Sequence, residues 1–455
     1  MSGVGCQVSG NGRREIKGAR TLVVGMAKSG IASVELLVRQ GAIVRATDLK
    51  AAPDVQQRLD LLGVPFQLQS CAVFENAELI VLSPGVPADL EPLEEARRHG
   101  ATVIGEVELA SYFLQGPIMG ITGSNGKTTT TALAGHILRE SKIAVQVGGN
   151  IGTPVTAMID PSRPDQWNVL ELSSFQLETI RRFRAHIAVA LNVTPDHLDR
   201  HHTFEKYAAA KGRLFETQRP NDLAVLNADD PVCVQYASLT QAAPLWFSST
   251  RPVRPGISLR DGAVWYGDEM LMPAADIPIR GRHNVENTMA AAAACRIAGA
   301  SLPQIASAVR TFRAVEHRLE FVRNVSGVDF YNDSKATNVD ATLKALDAFA
   351  GGLRVILGGK DKGSDYTVLR RPLAEKARAA MLIGAAAGKI RDQIAGAVPL
   401  VDAKTLDVAV RDAYAAAQPG DTVLLAPACA SFDQFDNYEH RGRVFKSLVA
   451  QLEPK

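Results

Sequence analysis

The run GITGSNGKTTT, Gly120–Thr130, constrains this chain more than any other stretch. The residues PIMGIT before the turn read as an apolar strand, SNGK as the turn, and TTTTALAGHILRE as a helix. A strand that passes through a tight turn into a helix belongs to a crossover unit, and such units build parallel sheets. A turn holding Gly123 and Gly126 can aim backbone N–H groups at an anion, and the following helix points its positive end at the same place. Lys127 adds a charge suited to β- and γ-phosphates, and Thr128 a hydroxyl suited to Mg²⁺. The general phosphate-loop pattern wants a glycine where Ile121 stands. The run still reads as a nucleotide site, with a triphosphate favoured.

The same alternation of strand and helix divides the rest of the chain. A length of 455 residues suggests roughly three domains of ~150 residues each. Residues 1–18 are polar and glycine-rich and read as a loose tail, not a signal peptide. Residues 19–115 open with TLVVGMAKSGIASVELLVRQGAIVRATD, a strand–helix–strand unit ending at Asp48. A dinucleotide fingerprint would place glycines at 25, 27 and 30, but Ala27 takes the middle position, where a pyrophosphate must approach the backbone. Residues 116–314 carry the phosphate loop, and within them ISLRDGAVWYGDEMLM predicts a small antiparallel insert around Asp261-Gly262. In residues 315–455, VDFYNDS, RVILGGKDKG, AAMLIGAA and DTVLLAPACAS each run from a strand into a polar or glycine-rich loop, which predicts another open parallel sheet. The fold class is therefore α/β in three domains.

Composition excludes several partners. A formal net charge of +2 gives no basis for nucleic-acid or polybasic membrane binding. No apolar run reaches the ~20 residues of a membrane span. Five cysteines without a CxxC pair point to a reducing, cytoplasmic setting. A metal beside a nucleotide needs further oxygen ligands. Glu171, at the end of the strand in VLELSSFQ, can supply a carboxylate, and His197 lies in the strand-end run TPDHLD between Asp196 and Asp199.

The segments TGSNGKTTT, GGNIGTP, ELSSFQLE, NVTPDHLDRH, YAAAKGRLF, GRHNVEN, HRLEF and NDSKATN, in that order, resemble the Mur ligase family over nearly the whole chain after the tail. The family's shortened phosphate loop accounts for Ile121. The resemblance implies a Rossmann-like UDP-binding domain, a central P-loop ATPase domain and a Rossmann-like C-terminal domain that brings the amino acid. The run APACASFDQFDNYEHRG is most similar to that of the members that add D-glutamate to UDP-N-acetylmuramoyl-L-alanine. The implied chemistry is amide formation through an acyl phosphate, with ATP as phosphoryl donor and two Mg²⁺ ions.

Carried over residue by residue, the resemblance puts ATP on Gly123, Ser124, Asn125, Gly126, Lys127, Thr128 and Thr129, with Asn287, Arg318 and Asp333 toward the adenosine or its phosphates. Thr128, Glu171, His197 and Lys211 would serve the metals, Lys211 as a carbamate, and Lys127, His197 and Lys211 would be catalytic. Ser29, Asp48, Ser83, Asn150, Gln176 and His197 fall where the UDP-substrate is contacted. Thr337, Lys362, Ser431 and Tyr438 match D-glutamate contacts, although Tyr438 stands where a phenylalanine is often found. A monomer is expected, with a mobile third domain hinged near residues 314–316. The competing readings are another Mur ligase, a folylpolyglutamate synthase-like ligase, a P-loop kinase or motor, and an NAD-dependent enzyme.

Overall fold

A computed structural model describes residues 16–50, 52–313 and 315–455. The chain divides into two compact units, one of residues up to Ala274 plus Asn287–Val309, the other of Ala275–Glu286 plus Arg310–Lys455. Most of the expected tail, residues 1–15, lies outside the described residues, as does Ala314 in the expected hinge. The last three residues of that tail are not loose: Ile16 is buried, and the Gly18 N–H donates to Gly41 O at 2.8 Å.

The first unit holds two sheets. One comprises β1 (Arg20–Val24), β2 (Ile43–Asp48), β3 (Phe66–Leu68), β4 (Leu79–Leu82) and β5 (Thr102–Gly105), all parallel, in the order β3-β2-β1-β4-β5. Both faces are covered, so β4 is buried along its length. Val23 and Val81 enter a core on one face, and Leu22, Val24, Ile80 and Leu82 one on the other.

The other sheet has nine strands: β6 (Ile118–Thr122), β7 (Val145–Gly149), β8 (Trp167–Glu171), β9 (Ile187–Ala190), β10 (Leu223–Asn227), β11 (Ala243–Ser248), β12 (Gly256–Arg260), β13 (Ala263–Tyr266) and β14 (Glu269–Pro273). Their order is β14-β13-β12-β11-β10-β9-β6-β8-β7, and only the β12–β13–β14 end is antiparallel. This is the insert expected from its alternating pattern. Its turn uses positive φ at Asp261 and Gly262. β6 lies between β8 and β9, so the loops after all three strands emerge side by side.

The second unit is built on β15 (Glu320–Val325), β16 (Val328–Asn332), β17 (Leu353–Gly358), β18 (Ala377–Ile383), β19 (Leu400–Lys404) and β20 (Thr422–Leu425), ordered β15-β16-β20-β17-β18-β19. The sheet is not purely parallel as the sequence suggested. β15 and β16 form an antiparallel hairpin because Ser326 and Gly327 both adopt positive φ at its tight turn. The loops after β16, β17 and β20 form one cluster at the carboxyl end of adjacent strands. Among the described residues, no helix is long and apolar enough to cross a membrane.

Within the first unit, the helix Glu106–Ser111 locks the turn that precedes β9. Glu108 is fully buried, and its carboxylate accepts from the N–H groups of Arg181, Arg182 and Phe183 at 2.8, 2.8 and 2.9 Å and from the Tyr112 hydroxyl at 2.9 Å. Glu108→Ala strands three backbone amides, that of Phe183 fully buried, so it is expected to cost on the order of 3 kcal/mol. A clear drop in the urea midpoint of unfolding is the readout, and an unchanged midpoint would refute the clamp.

Candidate active site

The phosphate loop is fixed before any ligand arrives. Gly126 precedes the helix Lys127–Glu140 with φ +86°, a conformation that favours glycine, and a Cβ there would come 2.2 Å from Asn287 Oδ1. On the other side, the residues after β9 strap the loop down. The Ser124 N–H donates to Asn192 O at 2.8 Å, and the Asn125 N–H to Asn192 Oδ1 at 2.9 Å. The Asn192 side-chain amide returns a bond to Asn125 O at 3.1 Å. The Ser124 hydroxyl lies 2.9 Å from both Thr194 O and the Tyr207 hydroxyl. Ser124 and Asn125 thus serve the loop's shape. Asn192 and Tyr207 were not singled out from sequence; the available signal was an asparagine two residues past a buried strand.

Three expected side chains converge around this loop. Lys127 Nζ donates to Gly123 O and Ser124 O at 2.7 and 2.8 Å. Lys211 Nζ, fully buried on the helix Phe204–Glu216, donates to the same Gly123 O at 2.9 Å and lies 4.6 Å from the centre of the Tyr207 ring. Burial drives the Lys211 pKa well below the usual lysine range, and the Lys127 charge adds to that push, against weaker opposing effects of Asp196 and Glu171. Glu171 ends β8. Its Oε1 accepts from the Asn150 amide at 2.9 Å, while its buried Oε2 has no hydrogen-bond partner. Gly149 permits this approach, since a Cβ there would fall 2.3 Å from Glu171 O. A buried, half-used carboxylate beside a lysine loop suits a cation–phosphate pair. Among the described residues there is no cluster of three or more His, Cys, Asp or Glu side chains placed for a metal. Thr128 offers a hydroxyl and Glu171 a carboxylate, and phosphate oxygens would add to an oxygen-rich set of the kind Mg²⁺ takes.

His197 has φ +52°, stacks edge-on against Phe175 at 4.9 Å between ring centroids, and sits 3.7 Å from the Asp196 carboxylate. Gln176 lies on the adjoining short helix, where its side chain closes a capping box with Ser173. Thr128 lies in the first turn of the phosphate-loop helix, and Thr129 follows it, both buried.

The UDP-substrate candidates of the first sheet gather at its β1/β4 switch point, where open parallel sheets bind ligands. The Ser83 hydroxyl donates to Gly25 O at 2.6 Å, and Asp48 accepts from the N–H groups of Met26 and Leu49 at 2.5 and 2.6 Å. Ser29 lies in the first turn of the helix Lys28–Arg39. A Cβ on Gly30 would fall 1.8 Å from Gly25 O. The first and third glycines of the fingerprint therefore keep their packing duties while Ala27 withdraws the phosphate approach.

The remaining candidates lie in the second unit. Asp333, Lys335 and Thr337 follow β16, Lys362 is exposed after β17, and Ser431 is buried after β20. Arg318 lies beside Asp333 in charge: its guanidinium opposes the rise that burial imposes on the Asp333 carboxyl, which still reaches about 7. The Tyr438 hydroxyl has a defined partner, since Lys335 Nζ approaches it at 2.6 Å and lies 4.1 Å from the ring centre. Fully buried Arg441 ties two of these loops together, with Nε donating to the Ser334 hydroxyl at 2.9 Å and Nη2 to Ser334 O and Cys429 O at 2.8 and 3.2 Å. Sequence reading passed over Lys335 and Arg441, although both lie inside the quoted segments.

Comparison with known proteins now decides the family. Residues 19–105 match the Mur ligase MurD-like N-terminal domain, 121–295 the Mur ligase middle domain, and 317–429 the Mur ligase glutamate ligase domain. The UDP-N-acetylmuramoylalanine–D-glutamate ligase of Solibacter usitatus is 69% identical over 97% of this chain and 100% of its own length. The chain belongs to the Mur ligase family. The ligase of the same description from Acidobacterium capsulatum is 52% identical over 96% of this chain and 97% of its own. Two solved structures share the fold at low identity. The UDP-N-acetylmuramate–alanine ligase of Thermotoga maritima has a TM-score of 0.60 at 17% identity, covering 95% of this chain and 99% of that one. A pseudomurein peptide ligase type C from Methanothermus fervidus has a TM-score of 0.59 at 18% identity, covering the same shares. Mur ligases use ATP and Mg²⁺, as the phosphate loop required.

Asp333 gives the site a pH signature. Its folded pKa of about 7 lies above its ordinary 3.8, so the folded state holds the proton more tightly and stability falls as pH rises between those values. Asp333→Asn removes that loss. The variant is expected to gain stability over the parent at about pH 8 relative to about pH 5, read from urea midpoints. An equal difference at both values would refute the assignment.

Proposed function

We propose that this Mur ligase joins the amine of D-glutamate to the alanyl carboxylate of UDP-N-acetylmuramoyl-L-alanine, with ATP converted to ADP and phosphate, in peptidoglycan precursor synthesis. The observation that carries the reading is the buried Lys211 set against the phosphate loop beside an orphaned Glu171 oxygen, in a chain 69% identical to a relative of that description. The substrate carboxylate attacks the γ-phosphorus, so ADP leaves and an acyl phosphate forms. The neutral amine of D-glutamate then adds to the acyl carbon, phosphate departs and the amine proton is lost. The activation is needed because a carboxylate offers no leaving group better than oxide.

The chain's residues divide the work. The loop of Gly123–Thr129 and the helix end behind it hold the phosphates, and Lys127 neutralises charge that builds on the transferred group. Thr128, Glu171 and His197 would hold the two Mg²⁺ ions, which supply charge neutralisation when bound. Lys211 completes that set as a carbamate. Its depressed pKa supports this, because only the neutral amine adds to CO₂, losing one proton as the carbamate anion forms. Asn287, Arg318 and Asp333 serve the adenosine or its phosphates. Ser29, Asp48, Ser83, Asn150, Gln176 and His197 serve the UDP-substrate, and Thr337, Lys362, Ser431 and Tyr438 serve D-glutamate.

Phosphate release from ATP should require both UDP-N-acetylmuramoyl-L-alanine and an amino acid, with D-glutamate preferred in a panel. Release that is independent of either substrate would refute the reading. Lys127→Ala should remain folded and lose at least ~100-fold in kcat, the scale of one preorganised charge-stabilising group. A ¹³C carbamate signal should appear when the protein is equilibrated with labelled bicarbonate and vanish in Lys211→Ala. A signal that survives the substitution places the carbamate elsewhere. Lys362→Ala should raise the D-glutamate KM strongly and leave the KM values for ATP and the UDP-substrate nearly unchanged. Equal weakening of all three would move the glutamate pocket.

A further inference from the structure

The loop that presents Lys362 is held by a network that its sequence context did not announce. Its stem is zipped to the Ser431 loop by a short bridge, with Lys360 N–H donating to Ala430 O at 2.8 Å and Ala430 N–H to Lys360 O at 3.1 Å. Its tip is organised by one carboxylate. Asp361 Oδ1 accepts from the Ser364 N–H at 3.1 Å and from the Tyr366 hydroxyl at 2.7 Å, and its Oδ2 accepts from Lys389 Nζ at 2.8 Å. Tyr366 is fully buried, its N–H donates to Gln393 Oε1 at 2.8 Å, and its hydroxyl lies 3.0 Å from Cys429 Sγ. Lys389 comes from the helix Ala387–Ile394, which follows β18. Asp361 thus joins elements from three neighbouring strands: its own loop after β17, the helix after β18, and through Tyr366 the segment after β20.

The charges matter as much as the geometry. Partial burial pushes the Asp361 carboxyl up, but the bonds from Lys389, Tyr366 and the Ser364 N–H outweigh it and hold the group at about 2. Asp361 is therefore an anion next in sequence to the lysine assigned to a dicarboxylate. An unpaired carboxylate there would repel the substrate and draw Lys362 onto itself. Lys389 prevents both, since its ammonium occupies Oδ2. It also lies 5.5 Å from the Tyr366 ring centre, which keeps it on the Asp361 side of that ring.

We propose that Asp361 and Lys389 are positioning residues for D-glutamate selection: Asp361 shapes the loop that presents Lys362, and Lys389 cancels the charge that this shaping introduces. The proposal rests on the reading of Lys362 as a D-glutamate ligand. Tyr366 and Cys429 complete the frame from the buried side.

Steady-state kinetics on the full chain separate the two claims. Asp361→Asn and Lys389→Met should each raise the D-glutamate KM about tenfold, the scale of coupling within one hydrogen-bonded network. The effect on kcat and on the KM values for ATP and the UDP-substrate should be smaller. Lys389→Arg should recover most of the affinity. Adding Asp361→Asn to Lys389→Met should lower the KM again, because it removes the uncompensated anion. Asp361→Asn should add nothing in a Lys362→Ala background. If the Asp361 and Lys389 variants keep the parental KM while Lys362→Ala raises it, the positioning role is overturned and the glutamate reading stands. If Lys362→Ala leaves that KM unchanged, both fall. Should Asp361→Asn fold poorly, the more exposed Lys389 pair of variants decides the matter.

Discussion

A parallel strand cannot be joined to its neighbour by a tight turn. Every β–β connection in the parallel parts of these sheets must cross a face, and each crossover leaves a loop at the carboxyl end of a strand. The order β3-β2-β1-β4-β5, the placement of β6 between β8 and β9, and the β16-β20-β17 run each make neighbouring loops emerge together. Ser83 meets Gly25 there, Asn192 meets Asn125 there, and Lys360 meets Ala430 there. The chemistry follows from this one topological fact. Loops placed side by side by strand pairing can hold charged groups at fixed separations without a dedicated scaffold.

Much of this was legible in the sequence because the signals were local. The Gly-Lys-Thr turn, the Asp261-Gly262 hairpin and the strand-end glycines act over a few residues, where backbone sterics and helix polarity decide the outcome. The antiparallel β15 was missed because Ser326-Gly327, although a turn dipeptide with positive φ at both residues, is a weaker hairpin signal than Asp261-Gly262. Asn192, Lys335 and Asp361 were missed for a different reason. Their partners lie 67, 103 and 28 positions away, at Asn125, Tyr438 and Lys389. Only strand pairing brings those distances to hydrogen-bond range, and no local pattern encodes it. The family resemblance supplied roles for individual residues but not the struts between them.

Those struts show how the fold tolerates so many cations at ligand-facing loops. Arg441 is buried, yet its guanidinium is satisfied by a hydroxyl and by backbone carbonyls, not by a carboxylate. Asp361, on the Lys362 loop, comes with Lys389 as its counter-ion. Asp48 obeys the same logic in the first sheet, where its oxygens are taken up by backbone N–H groups. Acids near anion sites are retained only where the protein itself already uses their oxygens.

Glu171 departs from that pattern, and so does Lys211, and the two departures explain each other. Lys127 and Lys211 share Gly123 O as acceptor, so two amines crowd one carbonyl, with Lys211 fully buried and Lys127 partly exposed. Two ammonium ions there would repel strongly at low effective dielectric. Burial and the Lys127 charge both push the Lys211 pKa well below the usual lysine range, which eases that repulsion. Beside them, the spare Glu171 oxygen is buried without a hydrogen-bond partner. A site so arranged is electrostatically unfinished. In the proposed reading, phosphate would satisfy Lys127 and a divalent ion would satisfy Glu171. The carbamate proposed on Lys211 would add a second anion for that ion. The buried lysine is therefore no weak point in the packing. In the proposed reading it would let a single crowded pocket present a cation to the nucleotide and an anion to the metal.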